Sequence, residues 1–225
     1  MDNWINKQFS VMKFFSVLAS TVLVILIITQ LNRQALKETK TLVVEVAEQH
    51  DLDIVFGEND AQLSVYVYAS YQCSYCRLFM EEVMPALLKK YKGELKFILR
   101  LTRHTNDFRV KRALSALVCV HKYGNYTHLH ELLLNNYKVM YTQEFQTMVS
   151  EFAERDAFVG ECMDAGAAAT YLADNISEFD GLKLPGTPCF VVNGRVYAGF
   201  RSVEQFQQII EKAKEKLQMR KLAYK

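Results

Sequence analysis

Two cysteines separated by two residues, Cys73-Ser74-Tyr75-Cys76, constrain this chain more than any other feature. They fall where one hydrophobic period gives way to another. Before them, Leu63, Val65, Val67 and Ala69 alternate with Ser64, Tyr66, Tyr68 and Ser70, the period of a β-strand. After them, Phe79, Val83 and Leu87 share one face of a helix that reaches about Lys92, with a kink expected at Pro85. A cysteine at the start of a helix meets unpaired N–H groups and partial positive charge, and both stabilise a thiolate. Cys76 lies one turn further in, near enough to close a small disulfide ring. Such a pair can trade a disulfide with another protein.

The rest of the chain reads as a sequence of elements around that junction. Asp53 to Phe56 forms a short strand ending at Gly57, and Leu95, Phe97, Leu99 and Leu101 alternate as another. Helical spacing then takes over at Val110, Ala113, Leu114, Leu117, Val118 and His121. Gly124 breaks it. Further helices are predicted around Tyr126, Leu129 and Leu133, around Phe145, Met148, Val149 and Phe152, and as one unit from Phe158 to Ile176. Asn193-Gly194 between Cys189 to Val192 and Arg195 to Tyr197 marks a tight hairpin. Ser202 with Gln205 forms a capping box that opens a last helix through Leu217. The order is strand, helix, strand, helical block, hairpin, helix. That is an α/β, thioredoxin-like fold with a helical insertion at about 106–178, the whole domain running over 53–225.

The amino-terminal end follows other rules. Residues 14–31 contain no charged side chain, close to the ~20 residues that cross a bilayer. No small-residue cleavage site closes the run, so it reads as an uncleaved transmembrane signal anchor. Residues 1–13 are then cytoplasmic and 32–52 juxtamembrane, with a short helix over Leu36 to Gln49 or a solvated tether. Lysines and arginines flank the run on both sides, so charge does not orient it. The cysteine pair does: disulfide exchange suits an oxidising compartment, which places the domain in the periplasm, outside the cytoplasmic membrane. The net charge is only +2 in 225 residues, and no basic patch interleaved with aromatics is present, so nucleic acid is not an expected partner.

Tyr71-Gln72-Cys73-Ser74-Tyr75-Cys76-Arg77, with Gly186-Thr187-Pro188 and Phe190-Val191-Val192-Asn193-Gly194 over a hundred residues later, resembles the active-site opening, cis-proline loop and hairpin of DsbA-type thioredoxin-fold proteins. The resemblance covers about residues 53 to 214. It implies a protein thiol–disulfide oxidoreductase that needs no cofactor. Cys73 would be the exposed nucleophile and Cys76 the buried resolving thiol. Pro188, after a cis peptide bond, would face them. Thr187 would bind an extended substrate segment through its backbone, beside Ser74 and Tyr75. The implied partners are proteins bearing thiols or disulfides, and a membrane or periplasmic redox partner that resets the pair.

The residues between the cysteines depart from the strongly oxidising DsbA pattern, which has proline and histidine there. Tyr75 cannot add positive charge at neutral pH as a histidine can. The Cys73 pKa is therefore expected below the free-thiol value of about 8.5, yet above the DsbA extreme of about 3.5. A less stabilised thiolate means weaker oxidising power. Tyrosine at this position also resembles isomerases and glutaredoxins, so isomerase or reductase activity stands beside oxidase. A non-catalytic client-binding module is a further alternative, opposed by the retention of both cysteines.

Three more cysteines remain. Cys119 and Cys162 fall on apolar helix faces and read as buried small hydrophobes, with a disulfide across the insertion as the alternative. Cys189 reads as a packed core thiol or as a modulator of the active pair. A single Cys-x-x-Cys does not make a zinc finger, and His128 and His130, two apart on a helix, point to different sides; no metal site is expected.

Overall fold

The computed structural model describes residues 23–27, 30, 43–102, 106–124 and 126–223. The chain forms two compact units, 1–42 and 43–225. In the first, residues 23–27 are helical, and their five apolar side chains are at least half exposed. Among the described residues no helix is long and apolar enough to cross a membrane. The span expected at 14–31 lies mostly outside them.

The second unit is built on a five-stranded sheet in the order β1-β3-β2-β4-β5. These strands are β1 (Ile54–Gly57), β2 (Leu63–Ala69), β3 (Leu95–Leu101), β4 (Cys189–Val192) and β5 (Arg195–Ala198). β2 and β3 run parallel, and every other pairing is antiparallel. Gly57 is obligatory where β1 ends. Its φ is +104°, and an added Cβ would lie 2.6 Å from the Leu95 carbonyl oxygen. The β4–β5 hairpin turns on Asn193 (φ 49°) and Gly194 (φ 77°), both in the left-handed region that a two-residue primed turn requires.

The helix after the cysteine pair is continuous but changes pitch. Helix α1 (Ser74–Leu78) passes into a π-turn over Phe79–Val83 and then into α2 (Met84–Lys90). The Met84 N–H reaches back to the Phe79 carbonyl, five residues away. Pro85 has no N–H to give to the turn before it, so the wider turn absorbs the kink. Phe79 from this helix packs on Phe97, Phe190 and Phe206, with ring centroids 4.7–5.6 Å apart. All four rings are fully buried, and each contributes about 1.5–3 kcal/mol. They bind the cysteine-bearing helix, the strands β3 and β4 on either side of β2 and the last helix into one core.

The insertion consists of α3 (Phe108–Tyr123), α4 (Tyr126–Asn135), a 3-10 turn (Tyr137–Tyr141), α5 (Gln143–Arg155), α6 (Ala157–Asp164) and α7 (Ala167–Gly181). The helix expected as one unit from Phe158 to Ile176 is therefore two. Gly166, at φ +72°, breaks it. The insertion also runs three residues past its expected end. Cys119 of α3 and Cys162 of α6 are joined in a disulfide, which corrects the reading of both as unpaired thiols. The last helix, α8 (Val203–Ala223), starts with the expected capping box: Ser202 N donates to Gln205 Oε1 at 3.0 Å, and Gln205 N to Ser202 Oγ at 3.4 Å.

The second compact unit begins at 43, and residues 43–50, which form no helix, belong to it. Val43 bridges to Arg195, and Val44 N donates to the Gly194 carbonyl at 2.7 Å, covering the outer edge of β5. β-branched Val43, Val44 and Val46 favour that edge pairing. Arg100, next to the end of β3 and 2% exposed, anchors the remainder of this segment. Its guanidinium pairs with Asp53 at 3.1 Å and Glu178 at 2.7 Å and donates to the carbonyls of Ala47 and Glu48. Tyr171 and His50 N also donate to the Asp53 carboxylate. Replacing Arg100→Met leaves Asp53 buried without its cation, so denaturant unfolding is expected to lose about 3–5 kcal/mol. Asp53→Asn in the same chain should recover part of that loss.

Candidate active site

Strand pairing brings the two sequence motifs to one end of the sheet. In the β2–β4 register Tyr68 lies opposite Cys189. The chain therefore leaves β2 toward Cys73 where it enters β4 from Pro188. The Thr187–Pro188 peptide bond is cis. The Cys73 thiol donates to the Thr187 carbonyl oxygen at 3.4 Å, across 114 residues of sequence. Cys73 is the N-cap of α1, partly exposed, and its own carbonyl accepts from the N–H groups of Cys76 and Arg77, each at 3.1 Å. Cys76 is completely buried. Ser74 and Tyr75 lie on the surface, Tyr75 60% exposed with its ring 6.0 Å from Phe200. Pro188 is buried and Thr187 partly exposed. All six residues singled out in the sequence thus converge on one corner of the molecule.

The two thiols differ in chemistry. Partial burial alone raises the Cys73 pKa. Hydrogen bonds from the Cys76 thiol and N–H, from Thr187 and from the Tyr75 N–H outweigh it, and the thiol ends below its ordinary value. Two of these donors, the Tyr75 and Cys76 N–H groups, belong to the helix start anticipated from the position of the pair; the Cys76 thiol and Thr187 add side-chain donors to them. At Cys76, burial dominates and pushes the pKa up to about 12, with the negative charge of Cys73 adding to it. The Cys73 thiol therefore ionises more readily than an ordinary thiol, and the Cys76 thiol less readily. Cys189 is the packed core thiol of the two readings offered for it. It is fully buried with Tyr68, Phe179, Leu184 and Val191, on the opposite face of the sheet from Cys76 and Phe190, and burial raises its pKa to about 11.

Sequence reasoning overlooked the residues behind the thiols. Tyr71, Gln72 and Arg77 each bond to the helical insertion, through Tyr126, His130, Tyr137 and Tyr141. Three of these seven flank the cysteine pair directly, and that proximity was their one signal. His130 was weighed only as a metal ligand; it is buried instead among hydroxyls, while His128 is exposed. Among the described residues no group of histidine, cysteine and carboxylate side chains could hold a metal ion.

The fold and the thiol corner define a class. A thioredoxin family model matches residues 49–212, and the chain belongs to the thioredoxin family. The chain is 23% identical over 176 residues to a Rickettsia felis protein named for protein-disulfide oxidoreductase activity, covering 73% of this chain and 61% of that relative. It is 24% identical over 168 residues to disulfide bond formation protein D of Bacillus subtilis, covering 70% and 75% of the two. Among solved structures, α-DsbA1 of Wolbachia pipientis superposes with a TM-score of 0.59 at 19% identity, covering 80% of this chain and 97% of that one. The chain thus spans about three fifths of the rickettsial relative.

The thiol asymmetry has a direct readout. Alkylation of the reduced protein by iodoacetamide, followed by mass spectrometry, should modify Cys73 and spare Cys76 and Cys189. The rate should climb with pH as the thiolate forms and level off, with a midpoint below about 8.5 and above about 3.5. A midpoint at or above the free-thiol value would contradict the assignment.

Proposed function

We propose that the chain is an extracytoplasmic protein thiol–disulfide oxidoreductase that works through Cys73 and Cys76. The observation that carries the reading is the Cys73 sulfur, a lowered-pKa thiol at a helix start, 3.4 Å from the carbonyl that precedes a cis proline. The names of the rickettsial and Bacillus relatives support it.

In the oxidising direction a client thiolate attacks Cys73 of the Cys73–Cys76 disulfide. The S–S bond breaks, Cys76 leaves as a thiolate and takes a proton, and a mixed disulfide forms at Cys73. A second client thiolate attacks the client sulfur of that bond and expels Cys73. Two electrons pass from client to enzyme, which ends as the dithiol. In the reducing or isomerising direction, Cys73 attacks a client disulfide and Cys76 resolves the intermediate. Thr187, beside the sulfur, offers backbone hydrogen bonds to an extended client segment, with Ser74 and Tyr75 on the rim. A membrane or periplasmic redox partner returns the pair to its working state.

Location is argued the same way. The Cys119–Cys162 disulfide favours an oxidising compartment. The exposed apolar helical residues 23–27 favour a single-pass anchor in the cytoplasmic membrane over 14–31. Isomerase and reductase directions remain part of the proposal, because Tyr75 stands where a charged imidazole would favour the reduced form most strongly.

Insulin reduction by dithiothreitol and refolding of a reduced, disulfide-bearing client test the reading. The wild-type chain should accelerate at least one of them, and Cys73→Ala should fall to the buffer control. Equal activity of the two chains would leave only a client-binding role.

A further inference from the structure

The turn that carries the reactive thiol is fastened to the helical insertion as well as to the sheet. Residues 70–73 close a β-turn in which Cys73 N–H donates to the Ser70 carbonyl at 3.0 Å. Tyr71 and Gln72 occupy its centre. The Tyr71 hydroxyl lies 2.7 Å from the Tyr126 hydroxyl and 2.6 Å from His130 Nδ1. Gln72 Nε2 donates to the Tyr141 hydroxyl at 2.8 Å. Arg77 Nη1 donates to the Tyr71 carbonyl at 2.6 Å, while its guanidinium lies 4.8 Å from the centre of the Tyr137 ring. Three tyrosines and one histidine of the insertion therefore hold the turn.

Tyr71, Tyr126 and His130 are more than nine-tenths buried. Burial lowers the His130 pKa to about 4, so the ring is neutral, and in the tautomer protonated on Nε2 its Nδ1 is an acceptor. Two hydroxyl protons then meet two acceptors. With that tautomer Tyr126 donates to Tyr71 and Tyr71 to His130; the remaining Tyr126–His130 separation is longer, at 3.1 Å. A fully satisfied buried chain of this kind specifies one position for the backbone that carries it.

The same turn positions both sulfurs. Its Ser70 N–H acts on Cys76, and its last residue is Cys73, whose thiolate depends on donors from Tyr75, Cys76 and Thr187. Hydrogen bonds to sulfur weaken quickly as distance and angle degrade. We propose that Tyr71 and His130 are positioning residues of the reactive thiol: their buried hydrogen bond fixes the turn at the height where the Cys73 sulfur meets its donors. The proposal rests on Cys73 being the attacking thiol. It assigns the insertion a part in setting redox character as well as in packing.

Tyr71→Phe tests this cleanly, because it keeps the ring and leaves the Tyr126 hydroxyl free to donate to His130. A role confined to packing would leave the thiol unchanged. In the full chain, the Cys73 pKa, read by pH-dependent alkylation at that residue, should rise by about 0.5 unit in Tyr71→Phe, a roughly threefold loss of thiolate stabilisation. The glutathione equilibrium should move toward the disulfide in step. His130→Leu should shift both readouts the same way, and His130→Asn, which returns an acceptor near Nδ1, should restore them. A wild-type pKa and equilibrium in folded Tyr71→Phe would overturn the proposal. These readouts do not depend on turnover, so failure of the oxidoreductase reading would be seen separately, as full activity of Cys73→Ala.

Discussion

The antiparallel pairing of β2 with β4 is the constraint on which the chemistry depends. It sets Tyr68 opposite Cys189, so the end of β2 and the start of β4 share one edge of the core. The Ser70 turn and the Thr187–Pro188 turn then face each other. No local preference could bring residues 73 and 187 together, and closing so long a loop costs entropy. The Phe79, Phe97, Phe190 and Phe206 cluster offsets that cost, since it spans the cysteine-bearing helix, both strands flanking β2 and the last helix. Removing one ring would loosen the register and the site together.

Thiol asymmetry is a consequence of that architecture. Cys73 stands at a helix start, where amide donors point outward, and Cys76 is one turn deeper, where no water reaches. Only two residues of chain, Ser74 and Tyr75, separate the readily ionised thiol from its proton-holding partner. The π-turn beyond them lets the helix pass Pro85 without losing the face that buries Phe79 and Val83. The insertion meets the cysteine-bearing turn from the other side, through the hydroxyls of Tyr126 and Tyr141, the His130 ring nitrogen and the Tyr137 ring.

The features legible in the sequence were local. The strand period before Cys73, the Asn193-Gly194 turn and the Ser202–Gln205 capping box all arise from neighbouring residues, and the structure contains each of them. The features it concealed depend on distant partners. Arg100 falls on the alternate face of its strand, and its burial comes from Asp53 and Glu178, which close around it. Tyr68 looks like a solvent-side residue, yet Phe179 covers it and its hydroxyl donates to Glu178. Cys119 and Cys162 share apolar faces with ordinary core residues, so the sequence offers their pairing only as the alternative to two packed thiols. Gly166 was hidden because apolar spacing continues smoothly across it, and only its positive φ breaks the helix. At 43–50 helical spacing misled, because the hydrogen-bond partners of that segment come from β5 and α7.

The central claim is that Cys73, and no other sulfur, joins covalently to clients at this corner. A Cys76→Ser chain, which cannot resolve the intermediate, can be incubated with a client whose thiols carry an aromatic disulfide leaving group, and the products mapped by peptide mass spectrometry. The account predicts a client joined through Cys73, which should disappear when Cys73 is also replaced. A client joined through Cys189, or no covalent complex at all, would contradict it.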